Sequence, residues 1–249
     1  SKISGRRFYF LTGDLARLEL ALINFAIETL CENGYSLTTP PFLMNREAYE
    51  GVVDLTDFEE VMYKIEDHDL YLIATSEHPI TARFKNEIIE LKDGPLKFAG
   101  ISTNFRREVG AHGISDRGIW RVHQFSKVEQ VIICEPEDSK EMHNEILENA
   151  THIFIKLEIP FRVIDICTGD IGTVAARKFD IEAWMPSSKK WKEVVSASNC
   201  KSYQSVRLNM RYRTQEGTDF PHTLNSTAIA TTRALAAILE LLPTLIGPI

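Results

Sequence analysis

The sequence predicts an α+β domain, an antiparallel β-sheet flanked by helices. Apolar residues recur at steps of three and four in residues 14–33 and 138–157, while 96–108, 119–135, 161–169 and 178–185 carry strand patterning. The strands come mostly in hairpin-like succession, which favours an antiparallel sheet over a doubly wound parallel one. The 249 residues are 44% hydrophobic and 25% charged, with no repeat, low-complexity tract or linker, so 1–249 reads as a single domain.

The first element is an amphipathic helix carrying Leu15, Leu18, Leu22, Phe25, Ala26 and Leu30, with Asp14 as N-cap and Gly34 as its stop. YSLTTPPF follows as a short strand. Pro40 and Pro41 donate no ladder hydrogen bond, so it belongs at an edge or an interface. A short helix is expected over Asn45–Val53, a strand over DLYLIA, and a helix capped by Thr75 or Ser76. Two long strands, 96–108 and 119–135, are joined by the glycine-rich VGAHGISDRG, too long for a tight hairpin; long ordered loops are often functional.

Asp138 and Glu141 suggest a capping box before the helix carrying Met142, Ile146, Leu147, Ile153, Phe154 and Leu157. Next come FRVIDICTG and KFDIEAWM, the latter with Phe179, Ile181, Ala183 and Met185 on one face. SYQSVRLNMRYR fits helix and strand equally. The chain closes on a strand-to-helix step, HTLNSTAIATTRALAAILELL, and a proline-containing tail.

A net charge of −7 argues against coating nucleic acid through overall charge, so any RNA contact is expected to be local. Cys31, Cys134, Cys167 and Cys200 form no CxxC pair and read as free thiols. No apolar run approaches membrane-spanning length and SKISGRRFYF lacks signal-peptide character, so the expected compartment is cytoplasmic.

On a strand, Arg106 and Glu108 would share a face, as would Arg121, Phe125 and Glu129. Any one of these residues alone fits a solvated face. For the set that reading weakens, because Phe125 is unfavourable in water but would stack under a flat aromatic ligand. Arginine's rigid fork suits phosphate, and neighbouring acids suit a metal ion or an amino group.

NFRREVGAHGISDRGIWRVHQFSKVEQ resembles motif 2 of class II aminoacyl-tRNA synthetases, in particular seryl-tRNA synthetases, through FRxE, RGxxRVHQF and KVEQ in order. TSE at Thr75 to Glu77 looks like that family's serine-site motif, and WKEVVSASNC like its metal and ATP segment. HTLNSTAIATTRALAAILE is similar to motif 3 and GYSLTTPP to motif 1, so the likeness runs from about Gly5 to Glu240. The NSTAIATTR wording leans toward the archaeal and eukaryotic branch.

The resemblance implies the class II synthetase fold and a homodimer formed through the GYSLTTPP region. It implies serine-tRNA ligase chemistry: L-serine and ATP give seryl-adenylate and pyrophosphate, and serine passes to the 3′ end of tRNA(Ser). Arg106 would hold the α-phosphate and serine carboxylate, with Arg107 beside the nucleotide. Glu108 would meet the adenine amino group. Phe125 would stack on adenine, with Arg121 and the Val122 backbone nearby, and Arg233 would grip the γ-phosphate. Glu193, Val194, Val195 and Ser196 would complete the ATP site, Glu193 and Ser196 as ligands of Mg2+. Thr75, Ser76, Glu77, Glu129, Asn225 and Thr227 would surround the serine.

Some of these residues read otherwise. Thr75, Asn225 and Ser226 each suit a helix cap. Arg233 lies among alanines, where an unpaired buried charge is costly, so an anionic partner is expected. Glu193 and Ser196 are three apart and share a strand face only if a bulge or turn intervenes. His112 and His123 read as structural or loop residues, because a carboxylate nucleophile needs no general base.

Two departures stand out. The family's tRNA-gripping helical arm is absent ahead of Ser1, and ILELLPTLIGPI lacks the family's final hairpin. The rival functions are an amino-acid ligase loading a carrier protein, for which a cysteine-containing zinc site would replace TSE, and a non-catalytic paralogue, against which the matched charges Arg106, Glu108, Glu193 and Arg233 weigh.

Overall fold

The computed structural model describes residues 2–54, 60–108 and 118–246, with side chains as far as Leu242. In chain order the first elements are α1 (Asp14–Glu32), β1 (Ser36–Thr38), β2 (Leu43–Met44), α2 (Arg46–Glu50), β3 (Tyr71–Leu72), α3 (Glu77–Ala82) and β4 (Ile88–Ile89). Next come β5 (Leu96–Phe105), β6 (Gln124–Cys134), α4 (Ser139–Lys156), β7 (Phe161–Asp165), β8 (Arg177–Met185) and β9 (Lys190–Lys201). The chain continues through α5 (Tyr203–Arg207), β10 (Arg211–Arg213), β11 (Thr218–Asp219), β12 (His222–Ala230) and α6 (Thr231–Ile246).

Seven strands form the central sheet in the order β1-β5-β6-β12-β9-β8-β7. All its pairings are antiparallel except that of β1, which joins β5 in parallel at the edge and ends before Pro40 and Pro41. One face of the sheet is buried by α1, α4 and α6. Val128 and Ile132 of β6, Val195 and Ala197 of β9 and Leu224 of β12 meet Leu22, Ala26, Leu30, Ile146 and Leu235 from those helices. A second apolar cluster, with Tyr49, Val52, Ile73, Phe84, Leu208 and Met210, holds a smaller layer built from α2, β2, β3 and the β11-β10-β4 sheet. Among the described residues no helix is long and apolar enough to cross a membrane.

Several local expectations need correction. Asp14 is the first residue of α1, not its cap; Gly13 at φ 59 takes that place and no side chain caps it. Gly34, at φ 85, does stop the chain after α1. Asp138 has helical dihedrals and makes no capping bond, so the capping box is not formed; a cap side chain reaches the first turn from an extended residue. Asn45 has that extended geometry, and its Oδ1 accepts from Ala48 N at 2.9 Å to start α2.

The DLYLIA strand shrinks to Tyr71–Leu72 because the next backbone groups serve separate segments: Ile73 N donates to Phe42 O and Ile73 O accepts from Phe105 N. SYQSVRLNMRYR resolves into helix and strand, α5 and then β10, with Asn209 turning the chain at φ 49. The proline tail is helical as far as Ile246, because α6 runs through Pro243. The strands expected over 96–108 and 119–135 are shorter, ending at Phe105 and starting at Gln124, and 109–117 of their connector lie outside the described residues.

The helix α3 crosses β5 at Gly100. A Cβ there would lie 2.5 Å from Ile80 Cδ1 and 2.6 Å from Ser76 Oγ, and neither buried side chain has room to retreat. Gly100→Ala is therefore expected to lower stability by ~1–3 kcal/mol through overpacking, read from urea unfolding midpoints.

Candidate active site

On the sheet face opposite the three helices the second apolar cluster covers only one end, around Ile133 of β6 with Leu96 and Phe98 of β5. Phe125, Lys127 and Glu129 alternate along β6 and point to this side, as do Asn225 and Thr227 on β12. They floor a cavity of about 340 Å³ whose walls include Thr75, Glu77, Arg106, Glu193, Val194, Ser196 and Arg233.

β9 contributes through an irregularity. Ile181 pairs with Val195 but Glu182 pairs with Glu193, so Val194 is an extra residue without a partner on β8. That bulge shifts the pleat by one position and brings Glu193 and Ser196 to the same cavity. It supplies the condition that their spacing of three demanded.

Three carboxylates, Glu77, Glu129 and Glu193, and three cations, Arg106, Lys127 and Arg233, line the cavity. Lys127 Nζ lies 2.5 Å from Glu129 Oε2 and donates to Thr75 Oγ1 at 2.9 Å. Thr75 Oγ1 also accepts from Glu77 N at 3.3 Å, which leaves its O–H to act as a donor. Thr75 thus lines the site without being the cap of α3: that position is Ser76, whose side chain makes no capping bond. Thr227 stands directly across from Glu129 in the ladder, and its hydroxyl donates to Glu129 Oε2 at 3.3 Å.

Burial and the nearby Glu129 charge push the Glu77 carboxyl up to about 7, against hydrogen bonding from Gln204 and the charges of Lys127 and Arg106. Burial, with Lys127 and Arg106 adding to it, pushes the neighbouring His78 down to about 3, so that imidazole is neutral. Burial first, then Arg233, lowers the Arg106 guanidinium from its ordinary value; it still remains a cation. Arg106 lies over the Phe125 ring, 5.3 Å from its centroid, and donates from Nε to Ala74 O at 3.3 Å.

Arg233 has the anionic partner its apolar helix called for. Its Nη1 donates to Glu193 O at 2.9 Å and Glu193 Oε1 at 3.1 Å, and the guanidinium sits 5.7 Å from the Trp120 ring centroid. Asp180, across the ladder from Ser196, carries a buried Oδ1 with no hydrogen-bond partner. Burial, with Glu193 adding to it, pushes its carboxyl up to about 6. Among the described residues no three His, Cys, Asp or Glu side chains gather into a metal cage, but hard oxygen donors beside an under-satisfied carboxylate are of the kind that suits magnesium.

Other expected residues lie outside the cavity lining. Ser76 is fully buried and donates to Gly100 O at 3.2 Å, which ties α3 to β5. Val195 is part of the core against the helices, and Val122 is 3% exposed. Arg106 and Glu108 lie past the end of β5, and Arg121 before β6 begins, so the shared strand faces do not form there. Glu108, at φ 48, turns the chain, and its Oε2 accepts from Arg121 Nη1 at 2.7 Å beside the site. Arg107 faces a separate concavity with Arg46, Tyr63, Lys64 and Tyr71.

His123 is structural, as expected: its Nδ1 lies 2.9 Å from Arg106 O and 3.0 Å from Tyr63 Oη, and its ring stacks on Phe8. His112 lies outside the described residues. Lys127 and His78 were missed by sequence reading, although Lys127 was detectable as the member of the KVEQ strand between Phe125 and Glu129.

The sheet and this site define a class II synthetase core: the chain matches the family model of the tRNA synthetase class II core domain (G, H, P, S and T) over residues 60–241 and belongs to that family. Among curated relatives, the serine-tRNA ligase of Methanospirillum hungatei is 60% identical over 243 residues, covering 96% of this chain and 57% of that protein. That of Archaeoglobus fulgidus is 52% identical, covering 96% and 54%. The chain thus spans little more than half the length of the relatives it matches. Of solved structures, seryl-tRNA synthetase from Pyrococcus horikoshii complexed with ATP superposes at a TM-score of 0.94, with 53% identity over 96% of this chain and 54% of that one. The cytoplasmic serine-tRNA ligase of Naegleria fowleri in complex with AMP gives 0.90, with 44% identity over 96% and 57%.

The Glu77 environment sets a pH dependence of stability. With a folded value of about 7 against an ordinary 4.5, the native state holds this proton more tightly than the unfolded chain. Stability from this group therefore falls as pH rises between those values and stays low above them. Glu77→Gln is expected to be more stable than the parent at pH 8 by on the order of 1–3 kcal/mol, the gain fading toward pH 4.5, in urea titrations at both pH values.

Proposed function

We propose that this chain is the catalytic core of a serine-tRNA ligase: it activates L-serine with ATP and passes serine to the 3′ end of tRNA(Ser). The observation that carries this reading is one cavity joining two kinds of chemistry, phosphate-binding arginines (Arg106, Arg233) and an acid-hydroxyl group (Glu77, Glu129, Thr227) suited to an amino acid's ammonium and side-chain hydroxyl. Relatives at 52–60% identity named serine-tRNA ligases, and structural neighbours holding ATP and AMP, support it.

In the first step a serine carboxylate oxygen bonds to the α-phosphorus of ATP and pyrophosphate leaves with the electrons of the broken P–O bond. Arg106 stabilises the charge that grows there, and Phe125 gives the adenine a flat apolar surface. Glu77 receives the ammonium, while Glu129 and Thr227 read the hydroxyl. No side chain needs to take a proton from the nucleophile, which is already ionised, so catalysis is alignment and charge stabilisation. Glu193 and Ser196 would hold magnesium, which when bound neutralises phosphate charge. In the second step a hydroxyl at the 3′ end of tRNA attacks the seryl carbonyl and AMP departs.

Working location and assembly follow the same reading: the cytoplasm, and a homodimer formed near β1. Leu37, Phe42 and Leu43 lie there 53%, 36% and 39% exposed, an apolar edge suited to burial against a second copy.

The decisive measurement is exchange of pyrophosphate into ATP with serine, glycine and alanine in turn. Serine-dependent exchange is expected, and Arg106→Ala should lower the chemical step by ~10²–10³-fold; exchange surviving within a few-fold would refute its role. Alanine would leave Glu129 and Thr227 unpaired, so its rejection should reach ~10⁴-fold in kcat/KM. Equal use of alanine and serine would favour a carrier-protein ligase instead.

A further inference from the structure

Gln204, the second residue of α5, is 1% exposed and lies beyond the cavity wall. Its Oε1 accepts from Thr223 Oγ1 at 2.6 Å, and its Nε2 donates both to Val52 O at 3.1 Å and to Glu77 Oε1 at 2.8 Å. The backbone carbonyl of Val52 can only accept, so the amide cannot turn over without losing a buried bond. Glu77 therefore always meets an N–H donor on this side, an arrangement that aims its carboxylate and favours the ionised form.

The charged and titratable groups acting on Glu77 come from every element around it. Lys127 and Glu129 on β6 are paired with each other, and Arg106 follows β5. His78 is its neighbour on α3, Cys200 of β9 interacts with it, and Asp54 lines a cavity that shares Glu77 and His78. Gln204 is the hydrogen-bond donor that opposes burial and Glu129 in setting the charge of this carboxyl.

We infer that Gln204 is a positioning residue for amino-acid capture: its amide orients Glu77 and favours the ionised form, so that the pH dependence of serine binding is set from α5. The inference rests on Glu77 receiving the substrate's ammonium, as proposed above. Without the amide donor Glu77 would be protonated at neutral pH, and a neutral carboxyl loses its attraction for an ammonium group.

The test is Gln204→Met in the full-length protein, which keeps length and volume but removes the amide. Two readouts are needed: titration of the Glu77 carboxyl by 13C NMR, assigned by its loss in Glu77→Gln, and serine and ATP KM in pyrophosphate exchange from pH 6 to 8.5. The carboxyl midpoint should rise by about one unit, the scale of one hydrogen bond to a charged group. Serine KM at pH 7 should rise about fivefold and recover as pH increases, while ATP KM and kcat at saturating serine stay within about twofold. An unmoved midpoint overturns the inference, and so does a serine KM raised equally at every pH together with ATP KM. Should Gln204→Met fail to fold, Thr223→Val, which frees the amide oxygen, must give a smaller shift of the same sign or the inference falls. A shifted midpoint in a protein that shows no serine-dependent exchange would overturn the serine reading while leaving the control of Glu77 by Gln204 established.

Discussion

Three carboxylates and three cations brought to one cavity at the central sheet cannot be packed under an apolar layer. An ionised group moved out of water costs several kcal/mol unless it is paired, so the site must stay open or be paired internally. The structure does both. Lys127 with Glu129 and Arg233 with Glu193 are matched, while Arg106 lies over Phe125 with Glu108, Glu193 and Glu129 charges acting on it. The opposite face, free of charge along Val128, Ile132, Val195 and Ala197, takes the helices. Alternation along each strand thus assigns core and site simultaneously, and a one-residue slip in register would exchange them.

The bulge at Val194 and the crossing at Gly100 are the two places where that alternation is adjusted. Without the bulge, Glu193 and Ser196 would point to opposite faces, one of them into the core. Without a glycine at position 100, α3 would ride higher over β5 and carry Thr75 and Glu77 with it. Neither feature adds a chemical group. Each places groups whose separation in sequence conceals their proximity.

This explains what the sequence could and could not reveal. The antiparallel sheet, the two long amphipathic helices and the edge position of β1 were legible because period and proline content are local properties. So were the cavity residues of the recognisable motifs, from Thr75 to Arg233. Cap geometry at Asp14 and Asp138 was not, because it depends on the dihedral of one residue. Nor was the placement of Arg106, Glu108 and Arg121, which follows from the ends of β5 and β6 rather than from residue type. Gln204 was invisible for a stronger reason: its bonds reach back 127 residues to Glu77 and 152 to Val52, a relation that no local pattern encodes.

The internal pairing also bears on how the site would accept the ATP proposed for it. Arg233 is held by Glu193 through both its backbone carbonyl and its carboxylate, so its charge is stored in place rather than left unpaired. A triphosphate competing for Arg233 would release the Glu193 carboxylate, beside Ser196 and the under-satisfied Asp180, at the same moment that phosphate oxygens arrive to share a cation. The ion pair keeps both groups preorganised near the positions they would occupy around the nucleotide. Exchange of one ionic partner for another costs far less than desolvating a lone guanidinium on binding, which is why a cavity full of charge can remain ordered before any substrate enters it.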